Sequence, residues 1–324
     1  MVIDEKYMRR ALQLARQGEG NVSPNPMVGA VVVCEGEIIG EGYHRKWGGP
    51  HAEVNAINSV VDKSKLSKST IYVTLEPCSH YGKTPPCSKL IIDSNIPRVV
   101  VGSDDPFEKV SGQGIKMLRD AGVEVVAGVM KQECDELNKK FIYAHKNKMP
   151  YVLLKWAQSS DGFISDQNRQ PVKFSNTLTS TFVHRQRSLY DAIMVGTGTV
   201  IADNPELTVR RWFGRNPKRI TFDLHGNLPK NAKLSIDKET IVIREQFQMK
   251  TLLNELYETY GITSLMVEGG SRLLNSFLKE DIWNEIQVEI SPIELYDGVE
   301  APQINCENLI CRQVRNNKIL LKIR

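Results

Sequence analysis

Thr74-Leu75-Glu76-Pro77-Cys78-Ser79-His80-Tyr81-Gly82-Lys83-Thr84-Pro85-Pro86-Cys87, read with His51-Ala52-Glu53 upstream, decides how the first half of this chain folds. One His and two Cys can hold a zinc ion. Two thiolates and a neutral imidazole cancel the charge on Zn²⁺ and leave a fourth position open to water. The pKa of that water falls far enough to supply hydroxide near neutral pH. Glu53, two residues beyond His51, is placed to move protons rather than to bind metal. A structural zinc site would want a fourth protein ligand, and at short spacing only His80 could serve.

Working outward, apolar runs and turn residues lay down an alternating α/β pattern around this motif. Residues 4–17 read as a helix with Tyr7, Met8, Ala11, Leu12 and Ala15 on one stripe. Strands are expected at 28–33 and 37–42, and a helix from His51 to about Val61. The strand 71–75 then delivers Glu76-Pro77-Cys78 at its C-terminal end. A helix from Ser88, a strand at 99–102, a helix at 112–121 and a strand at 123–127 follow. Both halves of the metal motif thus fall at strand ends or helix starts, where α/β folds bind ligands and where thiolates are favoured. A single charged helix is expected over 131–145 and a linker over 146–150, which divides the chain into 1–146 and 147–324. The second part alternates again, with strands at 151–156, 192–195, 218–222, 240–243, 264–267 and 285–290, and helices at 177–189, 250–260 and 271–279.

At 324 residues the chain is comfortable for two domains. It is 41% hydrophobic and 25% charged, as ordinary globular proteins are. The net charge of +4 and the 7% aromatic content give no basic or aromatic surface for a nucleic-acid strand. That argues against a nucleic-acid base deaminase, although a phosphorylated small molecule remains compatible. No stretch approaches the roughly 20 apolar residues of a membrane span, and the N-terminus lacks the apolar core of a signal peptide. A cytoplasmic location is therefore expected, with Cys34, Cys134, Cys306 and Cys311 reduced.

The parts are those of the zinc deaminases, whose usual second motif is Pro-Cys-x-x-Cys. Here Ser79 to Pro86, eight residues, separate the two cysteines. With Ser23-Pro24-Asn25-Pro26-Met27-Val28-Gly29 and His51-Ala52-Glu53, this long form resembles the bifunctional deaminase–reductase family of riboflavin biosynthesis. The resemblance implies a zinc cytidine-deaminase-like N-terminal domain with His51, Cys78 and Cys87 as metal ligands and Glu53 as general acid/base. It also implies substrate contacts from Asn25, His80, Lys83 and Asp105. Asn25 could read a pyrimidinone edge and Lys83 could neutralise a phosphate. Taken alone, an Asn between prolines, a loop Lys and an Asp before Pro106 serve equally as turn and surface residues. The family usually has Asp-Pro-Asn-Pro where this chain has Asp105-Pro106-Phe107-Glu108.

The second half resembles the reductase of the same family, which implies a dihydrofolate-reductase-like fold using NADPH. The resemblance is carried by Lys155-Trp156-Ala157-Gln158-Ser159-Ser160-Asp161-Gly162, by Asp191 to Val200, by Asp203-Asn204-Pro205-Glu206-Leu207-Thr208-Val209-Arg210, and by Val267-Glu268-Gly269-Gly270-Ser271. It assigns Ala157, Thr199, Asp203 and Gly270-Ser271-Arg272-Leu273-Leu274-Asn275-Ser276 to the cofactor, and Arg187, Leu207, Arg210 and Glu268 to the substrate. Arg187 and Arg210 suit a pair gripping a 5′-phosphate, or else two surface ion pairs. Lys155 is a candidate for polarising the sugar carbon that receives hydride, since a strand lysine facing an apolar core would be costly. Lys173 stands where the family commonly has Trp, and the segment after Ile290 departs from the family pattern. The implied activity is zinc-dependent deamination of a diaminopyrimidinone ribosylamine phosphate followed by NADPH-dependent reduction of its ribosyl group. The alternative is an active deaminase with an impaired reductase. A homodimer is expected from the habit of reductases of this fold.

Overall fold

Every residue of Gly29–Cys34 is buried, so this strand (β1) needs partners on both edges and a layer on both faces. The computed structural model supplies both; it describes residues 3–81, 85–106, 112–168, 172–236, 239–305 and 307–324. The chain folds as two units, Met1–Asn147 and Lys148–Arg324.

In the first unit the elements run α1 (Ile3–Ala15), β1, β2 (Glu37–Tyr43), α2 (Ala52–Ser59), β3 (Ser69–Leu75), α3 (Cys87–Asp93), β4 (Arg98–Ser103), α4 (Gln113–Asp120), β5 (Glu124–Ala127), α5 (Lys131–Leu137) and α6 (Lys139–Asn147). The sheet order is β2-β1-β3-β4-β5. β1 is antiparallel to both neighbours, whereas β3, β4 and β5 are parallel. Successive strand residues face opposite sides, and each side has its own core. Ala30, Val32, Ile71, Val73, Val99 and Val101 pack with Ala56 of α2, Ile91 of α3 and Leu118 of α4. Val31, Val33, Tyr72 and Val100 pack with Met8 and Leu12 of α1 and Cys134 of α5. Truncating a side chain as enclosed as Leu12 would cost about 2–5 kcal/mol.

The single helix expected over 131–145 is two, α5 and α6, broken at Asn138. The Asn138 side chain, 4% exposed, accepts from the Met27 backbone N–H (2.8 Å) and donates to the Met27 carbonyl (2.9 Å). That two-point clasp replaces helical continuity. α6 also runs on through Lys146 and Asn147, which the sequence reading placed in the linker.

In the second unit the order is β6 (Tyr151–Gln158), β7 (Phe163–Ser165), α7 (Thr177–Ser188), β8 (Ala192–Val195), α8 (Thr197–Asp203), β9 (Lys218–Phe222), β10 (Ile241–Ile243), α9 (Met249–Glu258), β11 (Ser264–Val267), α10 (Ser271–Lys279), β12 (Glu285–Ile290), β13 (Val299–Glu300), β14 (Ile310–Val314) and β15 (Asn317–Ile323). Eight strands form one sheet in the order β10-β9-β8-β11-β6-β12-β15-β14. β10 through β12 are parallel, and the β14–β15 hairpin adds antiparallel to β12. That hairpin, α8 and the small β7–β13 pair have no counterpart in the sequence reading. Among the described residues, no helix is long and apolar enough to cross a membrane.

Candidate active sites

β3 ends at Leu75 and α3 begins at Cys87, so the motif's two cysteines sit at either end of one strand-to-helix connection. His51 is the N-cap of α2, with extended backbone, and its side chain is not spent on capping. Its Nδ1 lies 3.6 Å from Cys78 Sγ and 3.3 Å from Cys87 Sγ. The Cys87 backbone N–H donates to Cys78 Sγ at 3.2 Å, which favours thiolate there. The three ligand atoms lie within 4.8 Å of one another, and His80 is not part of the group. One imidazole and two thiols, with no fourth protein donor in the group among the described residues, are the donor set of a catalytic zinc site, not of a closed structural one.

Without a metal, these groups share protons unevenly. Hydrogen bonding to Cys87 and His51 pulls the Cys78 thiol down to about 4, while its bond to Cys78 and burial hold Cys87 well above the usual thiol range. The bond to Cys78 lifts His51 to about 9. Glu53, on the first turn of α2 and 3% exposed, is pushed up to about 7 by burial, against the pull of His51. A carboxyl near neutrality can both take and return a proton.

His51, Glu53 and Cys78 line a cleft of about 310 Å³ whose walls include Asn25, His44, His80, Asp105 and Phe141. His44 escaped the sequence reading, because a histidine after a strand carries no local signal. Its Nδ1 donates to the Pro50 carbonyl (3.0 Å), leaving Nε2 to accept from Asn25 Nδ2 (3.2 Å). The amide of Asn25 is thereby oriented, with its oxygen left for another partner. Lys83 lies outside the described residues.

In the second unit, β11, β6 and β8 end side by side, the edge where parallel sheets bind ligands. Lys155, 8% exposed, lies on β6, and Glu268 follows the end of β11. The charge of Lys155 acts on Glu268. Arg187 on α7 does not stand free beside Arg210. It forks onto Glu268 (Nε–Oε1 3.1 Å, Nη2–Oε2 2.6 Å) and donates to the Thr208 carbonyl at 3.2 Å. Arg210 is exposed and bonds Glu206 at 2.6 Å. The two arginines thus form separate ion pairs, and Leu207 is buried between them in sequence with a positive φ of 55°.

Helix α10 starts at Gly270 without a side-chain cap, so its first backbone N–H groups are available to an anion. Gly270 has φ 80°, and a Cβ there would sit 3.3 Å from Thr199 Oγ1 and 3.9 Å from Gly196 Cα. That bare backbone cradle fits a phosphate-bearing cofactor. Ser271 donates to the Glu300 carbonyl, Arg272, Asn275 and Ser276 are exposed, Leu273 is half-buried, and Leu274 points into the core. Ala157 pairs with Glu289 of β12, and Asp203 is exposed at the end of α8. Lys173 is exposed.

Residues 1–103 match the cytidine and deoxycytidylate deaminase zinc-binding region, and residues 150–303 match the RibD C-terminal domain. The riboflavin biosynthesis protein RibD of Aquifex aeolicus is 41% identical over 95% of this chain and 92% of its own. That of Escherichia coli is 35% identical over 89% and 88%. The chain belongs to the RibD family. Crystal structures agree: a Thermotoga maritima diaminohydroxyphosphoribosylaminopyrimidine deaminase/5-amino-6-(5-phosphoribosylamino)uracil reductase superposes with TM-score 0.88 at 35% identity, covering 98% of both chains. Acinetobacter baumannii RibD gives TM-score 0.90 at 32% identity over 99% and 98%. As a RibD, this chain is a bifunctional deaminase and reductase with a zinc-binding first domain. The RibD C-terminal match runs through Lys173, and nothing favours the alternative of an impaired reductase.

Proposed function

We propose that this RibD deaminates 2,5-diamino-6-ribosylamino-4(3H)-pyrimidinone 5′-phosphate and then reduces the ribosyl side chain to give 5-amino-6-(5-phosphoribitylamino)uracil. The observation that carries the reading is the buried Glu53 carboxyl beside the His51–Cys78–Cys87 cluster, at the floor of one cleft. His51 Nδ1 and the thiolates of Cys78 and Cys87 would hold the zinc, which when bound would supply an acidified water. Glu53 would take a proton from the water as its oxygen bonds to the amino-bearing ring carbon, and would hand a proton to the amino group as the C–N bond breaks, so that ammonia leaves and a carbonyl remains. Asn25, its amide turned by His44, offers its oxygen to a ring N–H. His80 and Lys83 hold the phosphate, and Asp105 accepts from a ribose hydroxyl.

In the second unit the glycine cradle and the start of α10 would hold the NADPH phosphates, and the bound cofactor would supply hydride. Ala157, Thr199, Asp203 and the segment from Gly270 to Ser276 would line it, the buried Leu274 through its backbone only. Lys155 polarises the sugar carbon that accepts hydride. Because Glu268 and Thr208 occupy the Arg187 guanidinium, we assign Arg187 to aiming Glu268 at the substrate, with Leu207 against it. Arg210, exposed on the same wall, takes the phosphate. A cytoplasmic location suits the chemistry, since both cysteine ligands must stay reduced. A homodimer is the assembly we expect of the reductase unit.

The test is a split assay on zinc-loaded protein given the diaminopyrimidinone substrate, with and without NADPH. Ammonia release that needs no NADPH, followed by NADPH oxidation in step with deaminated product, is the expected result. NADPH oxidation before any ammonia appears would reverse the proposed order.

A further inference from the structure

Glu76 lies between the last residue of β3 and Pro77-Cys78, and it is 3% exposed. A carboxylate that deep needs partners. Among the described residues, they are backbone N–H groups. Oε1 accepts from Gly114 (2.9 Å) and Ile115 (3.2 Å), and Oε2 accepts from Gly112 (2.9 Å) and, at the long end, from Asp105 (3.4 Å). Its own N–H donates to the Ser103 carbonyl at 2.9 Å. Gly112 to Ile115 form the start of α4, where the uncapped N–H groups and the helix dipole favour a negative charge. Asp105 reaches the same carboxylate from the other side.

We infer that Glu76 is a positioning residue for the deaminase, a staple that joins the Asp105 N–H to the first N–H groups of α4 and thereby sets Asp105 in the cleft. The inference rests on the reading of Asp105 as a substrate contact. The packing is too tight for another element to take over the task. A Cβ on Gly114 would fall 1.9 Å from the Pro77 carbonyl oxygen, so the first turn of α4 lies directly against the residue preceding Cys78. Both carboxylate oxygens face N–H donors. A glutamine of the same shape would therefore turn its NH₂ group onto donors on one side, losing those bonds and leaving the donors unpaired.

The test uses the full-length, zinc-loaded enzyme with E76Q, D105A and the double variant, followed by ammonia release. E76Q should raise KM for the pyrimidine substrate about tenfold, the equivalent of one lost hydrogen bond. Bound zinc should be retained, and kcat should change far less. In the D105A background E76Q should add nothing to KM, because its effect passes through Asp105. A wild-type KM for E76Q, or KM effects that multiply in full, would overturn the proposal. So would a D105A enzyme with unaltered KM. A wild-type protein that releases no ammonia would instead remove the deaminase reading beneath it. If E76Q does not fold, amide exchange in the wild-type protein gives the answer. Adding deaminated product should slow Gly112, Gly114 and Ile115 together with Asp105, and slowing confined to Asp105 would overturn the staple.

Discussion

Arg187 and Glu268, 81 residues apart, form a two-point ion pair that leaves the guanidinium 12% and the carboxylate 10% exposed. A pair so enclosed is worth little against an apolar replacement, but breaking it strands a charge. R187A should therefore destabilise the second unit by about 3–5 kcal/mol. R187K should recover only part of that, because an ammonium cannot match the fork. Denaturant unfolding measures both, and a loss under about 1 kcal/mol would place the pair among ordinary surface bridges.

The same pair gives a pH dependence. Burial alone would lift the Glu268 carboxyl, but the Arg187 guanidinium, with Lys155 and His184, outweighs it and holds the group below the usual carboxylate range. A depressed folded-state pKa adds stability that is fully present above the unfolded value, about 4.3. It is lost as pH falls through the lower folded value. The melting-temperature gap between wild type and E268Q should thus be widest near neutrality and narrow below about pH 4. A gap that widens on acidification would mean the carboxyl is raised instead.

For the deaminase, E53Q keeps the shape of the side chain and removes its capacity to carry a proton. Ammonia release should fall by about 10²–10⁴-fold, with zinc content unchanged by atomic absorption. NADPH oxidation with pre-deaminated substrate should be untouched. Survival of deamination would mean that another group moves the proton.

Asn138 is expected to matter beyond its own helix ends. N138A removes both bonds to Met27 and leaves two half-buried backbone groups unpaired, for a cost of about 1–3 kcal/mol. N138D keeps the acceptor for the Met27 N–H but sets a buried carboxylate oxygen against the Met27 carbonyl, so it should cost at least as much as N138A. Because Met27 lies two residues after Asn25, both variants should also raise the deaminase KM. An N138D as stable as wild type would show that only one bond of the clasp matters.

Strands that are fully buried runs, such as Gly29–Cys34 and Ser264–Val267, were legible in the sequence because their apolar character needs no partner to be recognised. The His51–Cys78–Cys87 cluster was legible for a different reason: metal ligation selects rare residue types at short spacing. Features that depend on distant partners were not. The break between α5 and α6 is made by Met27, 111 residues away. The separation of Arg187 from Arg210 is made by Glu268 and Glu206. Glu76 carries no signature in the sequence because its partners are backbone groups, which no side-chain pattern announces. β14, Ile310–Val314, is largely exposed, so it lacks the buried face on which periodicity depends.

The clasp between Asn138 and Met27 also fixes where the gene can be divided. A fragment ending at Ala127 would retain all five strands of the first sheet and both halves of the metal motif. It would nevertheless lack α5, whose Cys134 closes one core face, and the clasp on the loop that carries Asn25. It would also lack Phe141 and His145, which line the cleft from α6 with their rings 4.3 Å apart. The sheet alone is thus not a module. The smallest transplantable deaminase carries its last two helices with it and stops at Asn147, where the first unit ends.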